Sequence, residues 1–394
     1  MRLARVNALA VGGLLGAALV LGYSVAADQG AGSAPGGGSP PVASAPAAPA
    51  PASFTVVASG DVLIHPELTE QARADSETAH SDTADSGISV PDFGPLFAGV
   101  VAAVSGADLA LCHLEVPLAD PAGPYAGYPS FNAPPQVASA LAGAGYDSCS
   151  TASNHTLDRG RSGVLRTLDA LDAAGLAHTG SARSAPEAAR PLILDLGVAR
   201  VAQVAFTYGF NGLQLPADAP WLANRLDADA VLRAARAAKQ AGAEVVIASL
   251  HWGTEYQAEP TDEQRALAAR LLADPAVDLI VGHHAHVVQP FERIGGEWVA
   301  YGLGNHLARH AEPRGRTEEG VIARFTFAQV PGIGWRVTRA EYLPTLVELG
   351  PPIRLVDLST APPSSRSAQA LARIDQVVLS RGGAEAGLTR PGPR

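Results

Sequence analysis

Residues 279–290 read LIVGHHAHVVQP: an apolar run with the character of a buried strand passes through Gly282 and ends in three imidazoles, His283, His284 and His286. A single histidine there would be read as a surface polar residue closing the strand. Three within four positions pose a chemical question that the flanking sequence has to answer.

Working outward, Thr261 and Gln264 form a capping-box pattern that starts the helix DEQRALAARLLADP, which delivers the strand. Upstream, DAVLRAARAAKQAG is a helix feeding the strand EVVIASLHWG, and PLILDLG with RVAQVAFTYG reads as a hairpin around Gly197. Toward the N-terminus FTVVASGD, DLALCHLE and YDSCSTASNH are strands separated by helical segments at 93–104 and 136–142. Ser162 is expected to cap the helix GVLRTLDALDAAG, and Asp158 and Gly160 to turn the chain into it. EWVAYGLGNH, GVIARFTFA and GWRVTRAEYLP add strands at the end. Alternating strands and helices followed by strands predict an α/β (α+β) layered sandwich of mixed β-sheets flanked by helices.

The 394 residues are 47% hydrophobic, enough for a substantial core. The first thirty, MRLARVNALAVGGLLGAALVLGYSVAADQG, carry two arginines, an apolar stretch and small residues near Ala26 and Ala27. Residues 1–27 are therefore expected to be a signal peptide or an N-terminal membrane anchor, and the protein to be extracytoplasmic. Residues 28–53 are rich in Pro, Gly, Ala and Ser and predict a disordered tether. Cys112 and Cys149 both fall in predicted strands, where bridge geometry is demanding, so two free buried thiols are expected. The acidic run EQARADSETAHSDTAD at 70–85 is expected to be a mobile loop near the mouth of a site. A formal charge of −10 argues against a nucleic-acid partner. Neither a phosphate-binding P-loop nor a Gly-x-Ser-x-Gly elbow is present, which disfavours ATP-driven ligation and serine-hydrolase chemistry.

Asp61, Glu115, Asn154, His155, His251 and the His283–His286 cluster each follow an apolar strand, where open α/β sheets place their sites. Imidazole mixed with carboxylate and amide oxygen, without thiolate, suits two divalent ions of the Mn, Fe, Zn or Ni kind. A two-metal hydrolase is the natural reading. Taken singly, Asp61 could cap a turn, Asn154-His155 a helix, and His251-Trp252 could be a packed aromatic pair. Their joint order makes the metal reading the better one.

The motifs SGDVLIH, HLEVPL, FNAPPQVASAL, TASNHTLDRG, SLHWGTEY, GHHAHVVQ and YGLGNH occur in an order that resembles the CapA family of bacterial poly-γ-glutamate capsule synthesis proteins. The domain of that family is similar to the calcineurin-like metallophosphoesterases. The likeness runs from Phe54 to about Leu358 and marks 54–360 as the domain, with 361–394 as a C-terminal helix and tail. It implies Asp61 as ligand of a first metal, Glu115 as the bridging carboxylate, and Asn154 and His251 as ligands of a second. His284 and His286 would go one to each ion, and His155 would be the general acid. His65 would bind metal or face substrate, and the role of His283 stays open. His113, Ser153 and His306 depart from the family pattern, which has Asn, Asn and Phe there. His113 and His306 would add a ligand or alter substrate contacts. Tyr301, Gly302, Gly304 and Asn305 form either a loop over the site or a plain turn, and Glu255 and Tyr256 either contact substrate or lie in a solvated loop. The implied partners are an anionic envelope polymer or a phosphoester, with capsule synthase and export proteins beside it. A general envelope phosphoesterase and a non-catalytic polymer-binding scaffold are the alternatives.

Overall fold

The computed structural model describes residues 51–79, 90–310 and 315–392. The expected signal or anchor segment and the tether lie outside them, Pro51, Ala52 and Ser53 apart. Residues 51–394 form one unit. Among the described residues no helix is long and apolar enough to cross a membrane.

The chain lays down half of one sheet, builds all of a second, and returns to complete the first. β1 (Ser53–Leu63), β2 (Leu109–Leu114), β3 (Ser148–Ser150) and β4 (Ala177–Thr179) run parallel to one another. The second sheet follows as β5 (Leu192–Asp195), β6 (Arg200–Thr207), β7 (Val245–His251), β8 (Leu279–His283), β9 (Phe291–Ile294) and β10 (Glu297–Ala300). The chain then adds β11 (Asn305–Ala308), β12 (Glu319–Val330), β13 (Gly334–Glu348), β14 (Arg354–Asp357) and β15 (Leu388–Thr389) to the first sheet. Strand order is β14-β13-β12-β1-β2-β3-β4, with β11 on β1 and β15 on β13, and β5-β6-β7-β8-β10-β9 in the second sheet. Both sheets are mixed: parallel strands need helical crossovers, whereas β5–β6 and β9–β10 are antiparallel pairs joined by turns.

Strand alternation sorts the side chains into layers. Phe54, Val56 and Ala58 of β1 and Leu109 and Leu111 of β2 meet Val245 and Ile247 of β7 in the core between the sheets. Val57, Ala110 and Cys112 face the other way, onto helices that include Gln136–Ala144 and Gly160–Ala173. Val246, Ala248 and Leu250 of β7 likewise pack on helices Ala228–Gln240 and Asp262–Leu272. The result is the layered α/β sandwich expected from the sequence. Ala370, Ile374 and Val378 of the helix Ser365–Val378 join the inter-sheet core, so the C-terminal segment is packed into the same body.

Several local expectations hold. Thr261 and Gln264 make both bonds of a capping box, and β5–β6 is a hairpin turning at Gly197, where φ is +76°. Others need correction. Cys112 and Cys149 form a disulfide, because β2 and β3 pair with these two residues opposite one another, Cα atoms 4.4 Å apart. That register is set by long-range sheet pairing and cannot be read from spacing. Residues 66–79 are helical, so the first part of the acidic run is a helix carrying Glu70 and Asp75 and not a loop; residues 80–85 lie outside the described residues. The segment 93–104 is broken into helices Gly94–Phe97 and Val101–Ser105. The helix expected to start after Ser162 begins at Gly160 without a side-chain cap.

Candidate metal centre

The parallel strands β1, β2, β3, β7 and β8 all point their carboxyl ends to one edge of the sandwich, and the predicted site residues gather there. Asp61 sits near the end of β1 at a register shift against both β2 and β11. Gly60 makes this possible: a Cβ on it would lie 2.0 Å from the carbonyl oxygen of Gly304, to which Asp61 N donates at 2.9 Å. His113 lies in β2 and Glu115 one residue past its end, two positions on, which by strand alternation puts both on one face. His284 and His286 follow β8 with φ of +88° and +53°, conformations side-chain-bearing residues adopt only where the surroundings hold them. The backbone N of His284 donates to Asp61 Oδ2 at 3.0 Å, which ties this turn to β1.

Around the Glu115 carboxylate the donors fall into two sets. On one side are Asp61 and His286, with His286 Nδ1 3.3 Å from Asp61 Oδ2 and its Nε2 3.6 Å from Glu115 Oε1. On the other are His251 and Asn154, with His251 Nε2 4.0 Å from Glu115 Oε1 and 2.9 Å from Asn154 Oδ1. The His284 ring lies 4.7 Å from that of His251. Asp61, Glu115 and His286 offer donor atoms within 4.8 Å of one another, and Glu255, His284 and His286 do the same.

Buried polar groups without partners test whether a cation fits. Among the described residues, both carboxylate oxygens of Glu115, Oδ1 of Asp61 and Nδ1 of His284 are buried without a hydrogen bond of normal geometry, with His283 Nδ1 approaching Asp61 Oδ1 to 3.2 Å. Leaving such groups unsatisfied is costly, and a divalent ion with oxygen and imidazole ligands is what this donor set accommodates. The electrostatics agree. Burial pushes the Glu115 carboxyl well above the usual range. Burial would also raise Asp61, but the imidazoles of His283 and His286 outweigh it and hold it well below the usual range. His286 is depressed by burial yet raised to about 10 by the carboxylates of Glu115 and Asp61. Burial, followed by the charge of His286, pulls His284 down to about 3. Asp61 is thus held anionic and His284 neutral, while Glu115 and His286 are drawn toward their protonated forms, protons standing where a cation's charge would otherwise balance the two carboxylates.

The third cluster, Asp61, His113 and His283, is not a chelate. The His113 and His283 rings are stacked, centroids 4.1 Å apart and 18° from parallel. Imidazole lone pairs lie in the ring plane, so two parallel rings do not converge on one ion. His113 instead extends a chain of hydrogen bonds: its Nδ1 is 2.8 Å from Ser150 Oγ and its Nε2 3.0 Å from Nδ1 of His251. His283 lies with Nδ1 3.2 Å from Asp61 Oδ1.

His155 stands at the edge of the cluster. Its Nδ1 is 2.8 Å from Asp158 Oδ2, and the same carboxylate oxygen accepts from Phe131 N at 2.7 Å. Asp158 therefore orients His155, a role beyond the turn assigned to it from sequence. His155 opens onto a cleft of about 320 Å³ lined also by His65, Tyr128, Glu255, Tyr256 and His310. His65 has its Nδ1 engaged by the backbone, 3.0 Å from Leu63 O and accepting from Arg309 N at 3.1 Å, and burial pulls its pKa down to about 4. Asn305 holds His286, with Oδ1 2.9 Å from Nδ1, so the 301–305 segment buttresses the site from below. His306 points to the opposite face of β11, its Nε2 2.7 Å from the Tyr146 hydroxyl and its ring against Phe97. That placement removes it from the candidate ligands and substrate contacts. Asn211, at φ +49°, was not singled out from sequence, although its FNG turn is a recognisable signal; it accepts from Asn154 Nδ2 at 3.2 Å.

Comparison with known proteins follows the same lines. Residues 55–310 match the model of the family described as bacterial capsule synthesis protein PGA_cap. The capsule biosynthesis protein CapA of Bacillus anthracis is 29% identical over 175 residues, 44% of this chain and 42% of that protein. The PGA biosynthesis protein CapA of Bacillus subtilis is 32% identical over 159 residues, 40% of this chain and 41% of that one. The matched parts thus span about two fifths of either relative. The solved calcineurin-like phosphoesterase YfkN of Bacillus subtilis superposes with a TM-score of 0.44 at 13% identity, over 83% of this chain and 98% of that one. With the family model covering most of the folded body and carrying the strand-end residues Asp61 to His306, the chain belongs to the bacterial capsule synthesis protein PGA_cap family.

Proposed function

We propose that the protein is an exported metal-dependent hydrolase of the cell envelope, acting on poly-γ-glutamate or a related anionic polymer during its synthesis, export or attachment. The observation that carries this is the Glu115 carboxylate, buried, without a hydrogen bond and flanked by Asp61 and His286 on one side and Asn154 and His251 on the other. Family membership supports the polymer, and the Cys112–Cys149 disulfide supports an oxidising compartment, in keeping with the N-terminal apolar segment.

In this reading Asp61 and His286 would hold one divalent ion, Asn154, His251 and His284 would hold the other, and the Glu115 carboxylate between the two sets would serve both. When bound, the pair would supply Lewis acidity and lower the pKa of a water. The chain's own residues do the rest. Asn305 fixes the ring of His286, and the Ser150–His113 chain fixes that of His251. His155, held by Asp158, protonates the leaving atom. Replacing Asp61 or His284 by Ala should abolish metal retention while circular dichroism stays that of the folded protein. Unchanged metal content in both variants overturns the assignment.

A further inference from the structure

Glu255 has no part in the ligand set above, yet one of its carboxylate oxygens lies within 4.8 Å of donor nitrogens from both His284 and His286. Unlike the buried Glu115, Glu255 is exposed, and it lines the same cleft as His155. The placement is built into the backbone. Tyr256, at φ +64°, donates its N–H to the carbonyl of Ala285 at 2.7 Å, which fastens the Glu255 loop to the turn between the two histidines. Among the described residues, Nδ1 of His284 is buried without a hydrogen-bond partner.

A carboxylate above the metal ligands is ill suited to phosphate esters. Even beside the two ions of that reading, this carboxylate would repel a phosphate dianion, and none of the described residues lining the cleft is an Arg or Lys that would offset it. An acyl substrate imposes the opposite demand: its carbonyl is uncharged, and the attacking water must give up a proton. We propose that Glu255 is the general base of an amide-cleaving reaction, and that the substrate class is an amide such as the γ-glutamyl linkage. The inference rests on the two-ion reading of the site. The Glu255 carboxylate accepts one proton from water as its oxygen bonds to the carbonyl carbon. The C–N bond then breaks, and the leaving nitrogen takes its proton from His155, giving one carboxylic acid and one amine per water consumed. Glu255 returns its proton to solvent and His155 recovers one.

The test compares the full-length metal-loaded protein with Glu255→Gln. A γ-glutamyl hexamer and p-nitrophenyl phosphate serve as substrates, new amino groups and nitrophenol as readouts, and ions per chain are counted on the same samples. Expected are cleavage of the hexamer by the parent, a kcat about 10²-fold lower in the variant with KM and ion count unchanged, and inorganic phosphate bound about tenfold tighter by the variant in calorimetry. With two ions per chain, cleavage surviving in the variant or unchanged phosphate affinity would overturn the role of Glu255, and no hexamer cleavage by the parent, or release of nitrophenol in its place, would overturn the amide substrate class. Fewer than two ions in the parent would overturn the metal reading itself, and this inference with it.

Discussion

Removing the Cys112–Cys149 bridge, as in the double variant Cys112→Ala/Cys149→Ala, perturbs stability and site together. The bridge closes a loop of sequence separation 37, and the chain-entropy relation gives about 4 kcal/mol of stabilisation for that length. Spread over the unfolding entropy of a body of this size, the loss corresponds to about 5 °C in Tm. The site shares the effect: Cys112 adjoins His113 and lies three residues before Glu115, while Cys149 adjoins Ser150 and lies five before Asn154. β3 has only three residues, so few ladder hydrogen bonds remain to hold it on β2 once the bridge is gone. Equilibrium urea unfolding of parent and variant, each stripped of metal, measures the first effect, and competitive metal titration of the folded proteins the second. The expected result is a lowered midpoint together with weaker metal binding. A variant as stable as its parent, or two free thiols per chain titrated in denaturant without reductant, would refute the reasoning.

Three further outcomes follow from individual contacts. His113→Phe keeps a ring against His283 but removes the hydrogen bond to His251, so metal affinity should fall by about 10–100-fold in a chelator competition; equal affinity would mean that the Ser150–His113 chain orients nothing. Gly60→Ala, whose new methyl would sit 2.0 Å from a backbone oxygen, should displace Asp61 and cost both metal binding and several degrees of Tm; a normal metal content contradicts it. Burial pulls His306 down to about 3, so the unfolded chain binds the extra proton first as pH falls below 6.5, and stability from this group is present above 6.5 and lost on acidification. His306→Phe should therefore flatten the dependence of unfolding free energy on pH between 6 and 4.5 by up to about 1.4 kcal/mol per pH unit, whatever it costs at neutrality through Tyr146; an unchanged slope refutes this.

How much of this was legible beforehand depends on whether a contact is local. The layered fold followed from runs such as FTVVASGD and EVVIASLHWG, because strand and helix periods are properties of contiguous residues. The convergence of Asp61, Glu115, Asn154, His251, His284 and His286 on one edge followed from their position at strand ends. Period-two alternation also placed His113 on the face of Glu115, and His306 opposite Asn305, although the sequence reading did not use it. The disulfide was not legible, because the register of β2 on β3 comes from sheet assembly. Nor was the Asp158–His155 pair, which a compact turn between strand and helix brings together and which competes with the ordinary capping role of Asp. The acidic helix 66–79 was missed because its charges suggested solvent, whereas Leu68 and Ala72 bury one face of it.

The account turns on two ions sharing one carboxylate. Crystals of the metal-loaded protein, measured at the absorption edge of the bound element, would place them directly. Two anomalous peaks about 3.5–4 Å apart, one beside Asp61 and His286 and the other beside Asn154 and His251, with Glu115 between them, are the predicted result. A single peak, or peaks away from Glu115, would contradict it.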